Sequence, residues 1–205
     1  MGTTSVYNKI MEKDYILNLM RSNKTVFTFN DVVLLWGKPD IKFVKKKIYR
    51  YIKAGKMYSI RRGLYAKDKN YDKFELATRI FTPSYISFET VLGKAGVTFQ
   101  YYSQIFVVSY LTREITTDGQ KYSFRKIKDS VLTNNAGLKH EENYSMATPE
   151  RAFLDVIYLH KDYHFDNLSS LNWDKVYEIL PIYGGNKEMA KRVDKYHESF
   201  KQNLK

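Results

Sequence analysis

The segment from Asp40 to Lys53 constrains the fold most, because its apolar and cationic residues separate onto two faces only in a helix. At about 100° per residue, one stripe of this helix is apolar and can pack inward. The residues of that stripe are Ile41, Val44, Ile48, Tyr51 and Ile52. The opposite face carries Lys42, Lys46, Tyr49, Arg50 and Lys53, flanked by Lys45, Lys47 and an outward-pointing Phe43. No carboxylate follows the capping Asp40, so this face would repel itself in isolation and suits a polyanion.

The residues before this helix predict a helix-turn-helix. Residues 9–20 have the apolar pattern of a first helix, and residues 25–29 are β-branched or aromatic, which favours a strand. Asn30 is a suitable N-cap for a second helix that ends at Trp36. The segment from Gly37 to Asp40 then breaks the chain, so that two helices are joined by a short turn containing glycine.

After the basic helix, the sequence predicts a β-hairpin. Gly55 can end the helix, and the apolar runs at 57–60 and 64–66 flank a turn with Arg61 and Arg62 at its tip. This order of elements is typical of a winged helix, a class that places its recognition helix in the major groove of DNA. The expected contacts with double-stranded DNA are Lys38, Lys42, Phe43, Lys45, Lys46, Tyr49, Arg50, Lys53, Arg61 and Arg62. Most of the lysines are assigned to phosphates. Lys42, Lys46 and Tyr49 are assigned to bases, and Phe43 to a thymine methyl group.

The distribution of charge divides the chain after Asp68. Residues 1–68 contain 15 Lys and Arg against 5 Asp and Glu, a net charge of +10, whereas residues 69–205 contain 19 against 17, a net charge of +2. Lysine-rich coding bias alone would not remove acidic residues from one third of the chain. We therefore expect a DNA-binding domain over 1–68 and a second domain over 69–205.

The second domain has the pattern of an α+β fold. Helices are predicted at 72–81, from the capping Ser87 through Leu92, from Thr148 through Leu159, at 173–180 and at 186–200. Strands are predicted at 105–108, 114–117 and 122–124, the last two joined by an Asp118-Gly119 hairpin turn. The fold class expected for the whole chain is α+β, with an N-terminal winged helix-turn-helix and a mixed α/β C-terminal domain.

Nothing in the sequence indicates catalysis, a cofactor or a metal. Cysteine is absent, which excludes disulfides, thiolate metal sites and cysteine nucleophiles. His160 and His164 are four residues apart but lack the glutamate of a zinc-protease motif, and Arg151 and Asp155 have the spacing of a structural ion pair. Because no catalytic motif is found, we expect that the protein is not an enzyme. No secretory or membrane-spanning apolar segment is visible, so a soluble, cytoplasmic protein is expected.

Two sets of motifs resemble the AbiEi antitoxin family of type IV toxin–antitoxin systems. The first comprises residues 60–66, 75–77 and 85–92 followed by Gly96, and the second is residues 147–155. Arg62, Gly63 and Tyr65 match the hairpin motif of that family, and Pro149, Glu150, Arg151 and Asp155 match the late motif. The resemblance implies an N-terminal winged helix that represses its own operon. It also implies a C-terminal domain that counteracts a nucleotidyltransferase-type toxin without necessarily forming a stable complex with it.

Two other functions remain open at this stage. The basic face could instead bind an acidic protein partner without specific DNA binding. Alternatively, carboxylates from separate helices could assemble into a nuclease site.

Overall fold

A computed structural model of the protein describes residues 15–37 and 40–202. The chain divides into two compact units, Met1–Ile80 and Phe81–Lys205, and each contains helices and one sheet. The expected α+β class is therefore confirmed.

The first unit packs helices against a small antiparallel sheet. Its elements are α1 (15–21), β1 (Val26–Thr28), α2 (Phe29–Trp36), α3 (Ile41–Lys53), β2 (Tyr58–Arg61), β3 (Leu64–Ala66) and α4 (Lys73–Ile80). The three strands lie in the order β1-β3-β2, so that β1 pairs with the second strand of the hairpin. The part of the predicted first helix that precedes residue 15 lies outside the described residues.

Helix α4 belongs to the first unit, so the division lies after Ile80 rather than after Asp68. The reason is a buried contact between Glu75 of α4 and Thr25, the residue that precedes β1. Glu75 is fully buried, and its Oε2 accepts hydrogen bonds from the backbone N (2.8 Å) and Oγ1 (2.7 Å) of Thr25. This contact joins residues 50 positions apart, which the charge distribution could not indicate.

The N-cap of α2 is Thr28, not the predicted Asn30. Thr28 Oγ1 accepts from the backbone N of Asp31 at 3.1 Å, and Asp31 Oδ2 accepts from the backbone N of Thr28 at 2.8 Å. This reciprocal capping box satisfies two backbone donors at once. Burial alone would raise the pKa of Asp31, but hydrogen bonds from Lys24 and Thr28 hold it below its usual range. As a result β1 runs directly into α2, and Phe29 is helical rather than extended.

The second unit is built on a mixed six-stranded sheet. Its strands are β4 (Ser84–Ile86), β5 (Ile105–Ser109), β6 (Arg113–Thr117), β7 (Gln120–Lys126), β8 (Leu138–His140) and β9 (Ser145–Ala147). They lie in the order β6-β7-β5-β4-β9-β8. Its helices are α5 (Glu89–Lys94), α6 (Asp129–Leu132), α7 (Pro149–Leu159), α8 (Trp173–Ile179) and α9 (Lys187–Gln202), with a 3₁₀ helix at Leu180–Tyr183. The hairpin turn at Asp118 and Gly119 is confirmed, since both residues have the positive φ of a type I′ turn.

A buried ion pair holds α7 to its surroundings. Arg151 and Asp155 are both fully buried, and Arg151 Nε donates to Asp155 Oδ1 at 3.4 Å, so the predicted ion pair is confirmed. The remaining carboxylate contacts come from the hydroxyls of Tyr85 (3.0 and 3.1 Å), Ser87 (2.7 Å) and Tyr183 (2.7 Å). Ser87 was predicted to cap α5 and instead donates to Asp155, because the cap position is occupied by Phe88 with φ 53°.

The guanidinium of Arg151 is equally well satisfied. It donates to the carbonyl oxygens of Val131 (2.7 Å), Asn134 (3.3 Å) and Ala136 (2.5 Å) and to the hydroxyl of Tyr85 (2.9 Å). Gly137 lies against the aliphatic part of Arg151, where an added Cβ would come within 2.9 Å of Arg151 Cβ. Every direction around this buried charge is therefore filled by a hydrogen-bond acceptor or by close packing.

Replacing Arg151 with methionine should lower the free energy of unfolding by about 3–5 kcal/mol, because the carboxylate of Asp155 would remain buried without its cation. Urea unfolding followed by circular dichroism and tryptophan fluorescence measures this. The control is Lys191→Met, which removes a cation whose side chain is 73% exposed and should cost no more than about 1 kcal/mol. Equal losses in the two variants would contradict the structural role of the pair.

Candidate nucleic-acid interface

Helix α3 begins as the sequence predicts. Asp40 Oδ1 accepts hydrogen bonds from the backbone N of Lys42 (2.9 Å) and of Phe43 (3.2 Å), which satisfies two free donors of the first turn. The helix ends at Lys53, and Gly55, with φ 66°, turns the chain toward β2. The two ends of α3 are thus set by local chemistry.

The inner face of α3 packs on the core of the first unit. Val44, Ile48 and Tyr51 are buried, and the ring of Tyr51 meets Trp36 of α2 edge-on at 5.8 Å. The prediction that Ile41 packs inward is wrong, since its side chain is 53% exposed. The core cluster begins at Val44, so the first turn of α3 extends beyond it and leaves Ile41 uncovered.

The outer face of α3 is exposed and cationic, as predicted. Among the residues expected to contact DNA, those of α3 are all exposed: Lys42, Phe43, Lys45, Lys46, Tyr49, Arg50 and Lys53. Within residues 15–37 and 40–202, none of these five cations forms an ion pair or a side-chain hydrogen bond. Lys38 lies outside the described residues. The face therefore carries unneutralised charge that is directed into solvent.

Aromatic rings support part of this face. The ammonium of Lys45 lies 5.9 Å from the ring centroid of Phe29, and that of Lys53 lies 5.2 Å from the ring centroid of Tyr49. Lys47 differs, because its ammonium lies over the buried rings of Tyr15 (5.9 Å) and Tyr51 (5.4 Å) and so packs against the core. This separates Lys47 from the exposed cations.

Tyr15 is a contributor that the sequence pattern did not single out. Its ring is buried and lies 6.0 Å from the ring of Phe43 in an edge-on arrangement. Phe43 remains 38% exposed, so one side of its ring is held while the other faces solvent. A tyrosine within an otherwise aliphatic helix pattern gives no signal for such a contact until the two helices are placed together.

The hairpin tip is fixed relative to the helices. Arg61 ends β2 and Arg62 follows in the turn to β3, and both side chains are exposed. Gly63 completes the turn with φ 81°. The carbonyl oxygen of Gly63 accepts a hydrogen bond of 3.0 Å from the backbone N of Phe29, the first residue of α2. The two arginines therefore belong to the same rigid unit as α3.

Charge is concentrated in the first unit. Residues 1–80 contain 18 Lys and Arg against 7 Asp and Glu, a net charge of +11, whereas residues 81–205 contain 16 against 15, a net charge of +1. The difference in net charge between the two parts of the chain is therefore kept when α4 is counted with the first unit.

The histidines of the second unit are not brought together as a site. His160 Nε2 lies 3.4 Å from Arg125 Nη1, and Arg125 forms an ion pair of 3.3 Å with Glu89. Burial and the neighbouring guanidinium lower the pKa of His160 below its usual range. His164 is highly exposed and lies 3.5 Å from Asp166 instead. In the part of the chain that is described, no group of three His, Asp or Glu residues is placed to hold a metal ion.

The described helices include none that is long and apolar enough to cross a membrane.

Comparison with known proteins supports the fold. No protein-family model matches the chain, and no curated protein matches it. The chain is similar in structure to the RV2827C protein from Mycobacterium tuberculosis, with a TM-score of 0.51 and 12% sequence identity. The match covers 90% of this chain and 75% of that chain. At this identity the likeness concerns the fold alone.

The double substitution Lys42→Ala and Lys46→Ala should leave the free energy of unfolding unchanged within about 0.5 kcal/mol, because both side chains are exposed and without partners among the described residues. Asp40→Ala should lower it by about 1 kcal/mol through loss of the α3 cap. Chemical denaturation of the three proteins side by side measures both effects. A large loss in the double lysine variant would mean that this face contributes to folding.

Proposed function

We propose that the first unit is a winged helix that binds double-stranded DNA, with α3 as its recognition helix. The observation that supports this most directly is the exposed face of α3, whose cations form no ion pair or side-chain hydrogen bond among the described residues, on a unit with a net charge of +11. A face of this kind is costly to leave unneutralised in the free protein, whereas phosphates would neutralise it.

The dimensions of α3 fit this role. Its 13 residues span about 20 Å at 1.5 Å per residue, and the major groove of B-DNA, about 12 Å wide, admits an α-helix. Arg50 and Lys53 on the outer face and Lys45 on its flank would contact phosphates on either side of the groove. Arg61 and Arg62, fixed to α2 through Gly63, would reach the adjoining backbone as the wing.

We further propose that the protein is the antitoxin and autorepressor of a type IV toxin–antitoxin system. The proposal rests on the resemblance to the AbiEi family, and the structure adds a reason for its pattern. Tyr85 and Ser87 come from the first set of motifs and Arg151 and Asp155 from the second, and these four side chains meet in one buried hydrogen-bonded network. Residues of both motifs thus belong to one buried network, and any antitoxin activity would lie on the surface of the second unit, which this network stabilises.

DNA binding should weaken in the Lys42→Ala, Lys46→Ala double variant. Because both lysines are assigned to bases, the loss should be larger for the native duplex than for a scrambled one. Lys45→Ala and Lys53→Ala remove expected phosphate contacts, so each should reduce the slope of log affinity against log salt concentration by about 0.9. Fluorescence anisotropy with the DNA upstream of the protein's own gene, over a salt series, measures both quantities. The matched control is Lys191→Ala with Lys195→Ala, which removes two exposed lysines at the same spacing from α9 and should leave affinity unchanged.

Two results would contradict this assignment. Unchanged affinity in the Lys42, Lys46 variant would remove α3 as the recognition helix. Equal, steeply salt-dependent binding to native and scrambled duplexes would make the face a general electrostatic patch, and an acidic protein partner would then be the better candidate.

Repression and antitoxin activity should separate by unit. When expressed from an independent promoter, the Lys42→Ala, Lys46→Ala variant should still protect cells from the nucleotidyltransferase encoded beside it, while losing repression of a reporter fused to its own promoter. Colony counts and reporter activity measure the two effects. Failure of the wild-type protein to protect cells would remove the antitoxin proposal and leave the DNA-binding proposal standing.

A further inference from the structure

We infer that α3 recognises its operator through guanine acceptor atoms and an adjacent thymine methyl group, rather than by direct contacts to adenine or cytosine. This inference rests on the DNA-binding function proposed above and concerns which bases are read.

Helix α3 lacks the side chains that read adenine and cytosine. Between Ile41 and Lys53 there is no Asn, Gln, Asp or Glu. Adenine is recognised in the major groove by the paired donor and acceptor of an amide, and the amino group of cytosine is recognised by a carboxylate. Neither group is present on this helix, where Tyr49 carries the one exposed hydroxyl, a single oxygen that cannot pair with adenine as an amide does. Its lysines and Arg50 supply donors only, and donors match the O6 and N7 acceptors of guanine.

The lysines of α3 fall into two groups by their side-chain contacts. Lys45 and Lys53 are held over the rings of Phe29 and Tyr49. The side chains of Lys42 and Lys46 make no ring or polar contact with the described residues, and they lie one turn apart in the N-terminal half of α3. Residues near the N-terminus of a recognition helix are those that reach base edges. An ammonium group placed against adenine would meet the amino group beside N7, so guanine is the better partner.

Phe43 is placed to contact a thymine methyl group. Its ring is held on one side by Tyr15 and exposed on the other, so it presents a fixed apolar surface at the edge of the cationic face. Thymine is the one base that offers a methyl group in the major groove. Phe43 and Lys46 are three residues apart and therefore neighbours on the helix surface. Their targets should lie on adjacent base pairs, a guanine beside a thymine.

The experiment begins with selection of bound duplexes from a randomised library by the full-length protein near physiological salt. In the selected duplex, each guanine is then replaced by 7-deazaguanine, which lacks the N7 acceptor, and each thymine by uracil, which lacks the methyl group. Replacement of adenine by 7-deazaadenine is the matched control. We expect about tenfold weaker binding for one guanine and for one neighbouring thymine, and no change for adenine.

Variants then assign the contacts. Lys46→Met or Lys42→Met should abolish the response to 7-deazaguanine, and Phe43→Ala should abolish the response to uracil. Sequence-selective binding that responds to 7-deazaadenine but not to 7-deazaguanine or uracil would overturn the inference while preserving the DNA-binding function. Failure to select any sequence would overturn both. The base analogues decide the question with the wild-type protein, even if a variant folds poorly.

Discussion

The buried pair of Arg151 and Asp155 is the interaction on which the second unit depends. A charge in the protein interior is costly unless it is paired and fully hydrogen-bonded. Here the hydrogen bonds come from three parts of the unit. The sheet contributes Tyr85, the segment after α6 contributes two carbonyl oxygens, and the 3₁₀ helix contributes Tyr183. Because these elements are distant in sequence, satisfying one charged pair fixes the relative positions of most of the unit.

The buried network contains residues from both sets of motifs in the sequence: Tyr85, Ser87, Arg151 and Asp155. These four residues report the fold and not a partner. The surface residues that would contact DNA or oppose a toxin lie outside that network. The residues that bear on function are therefore the exposed side chains, chiefly those of α3 and the hairpin tip.

The sequence predicted periodic elements well and non-periodic ones poorly. The two faces of α3 followed from a 3.6-residue period, and the hairpin turn at Asp118 and Gly119 followed from local conformational preference. Strands β4, β8 and β9 have three residues each, too few to show alternation. The N-cap of α2 is Thr28 and not Asn30, because Thr28 and Asp31 form reciprocal hydrogen bonds. The boundary between the units lies after α4, because Glu75 of α4 accepts hydrogen bonds from Thr25, 50 residues earlier. The base-reading role of α3 stays a prediction, since it depends on a partner molecule.

The hydrogen bond between Gly63 and Phe29 has a consequence for the energetics of association. A hairpin that moved freely would lose conformational entropy on contacting a ligand, and this loss would weaken binding. Since the tip is already tied to the first residue of α2, that entropy is lost when the chain folds. The arginines at the tip and the lysines of α3 would thus meet a ligand as one preformed surface, whose curvature is set by the protein.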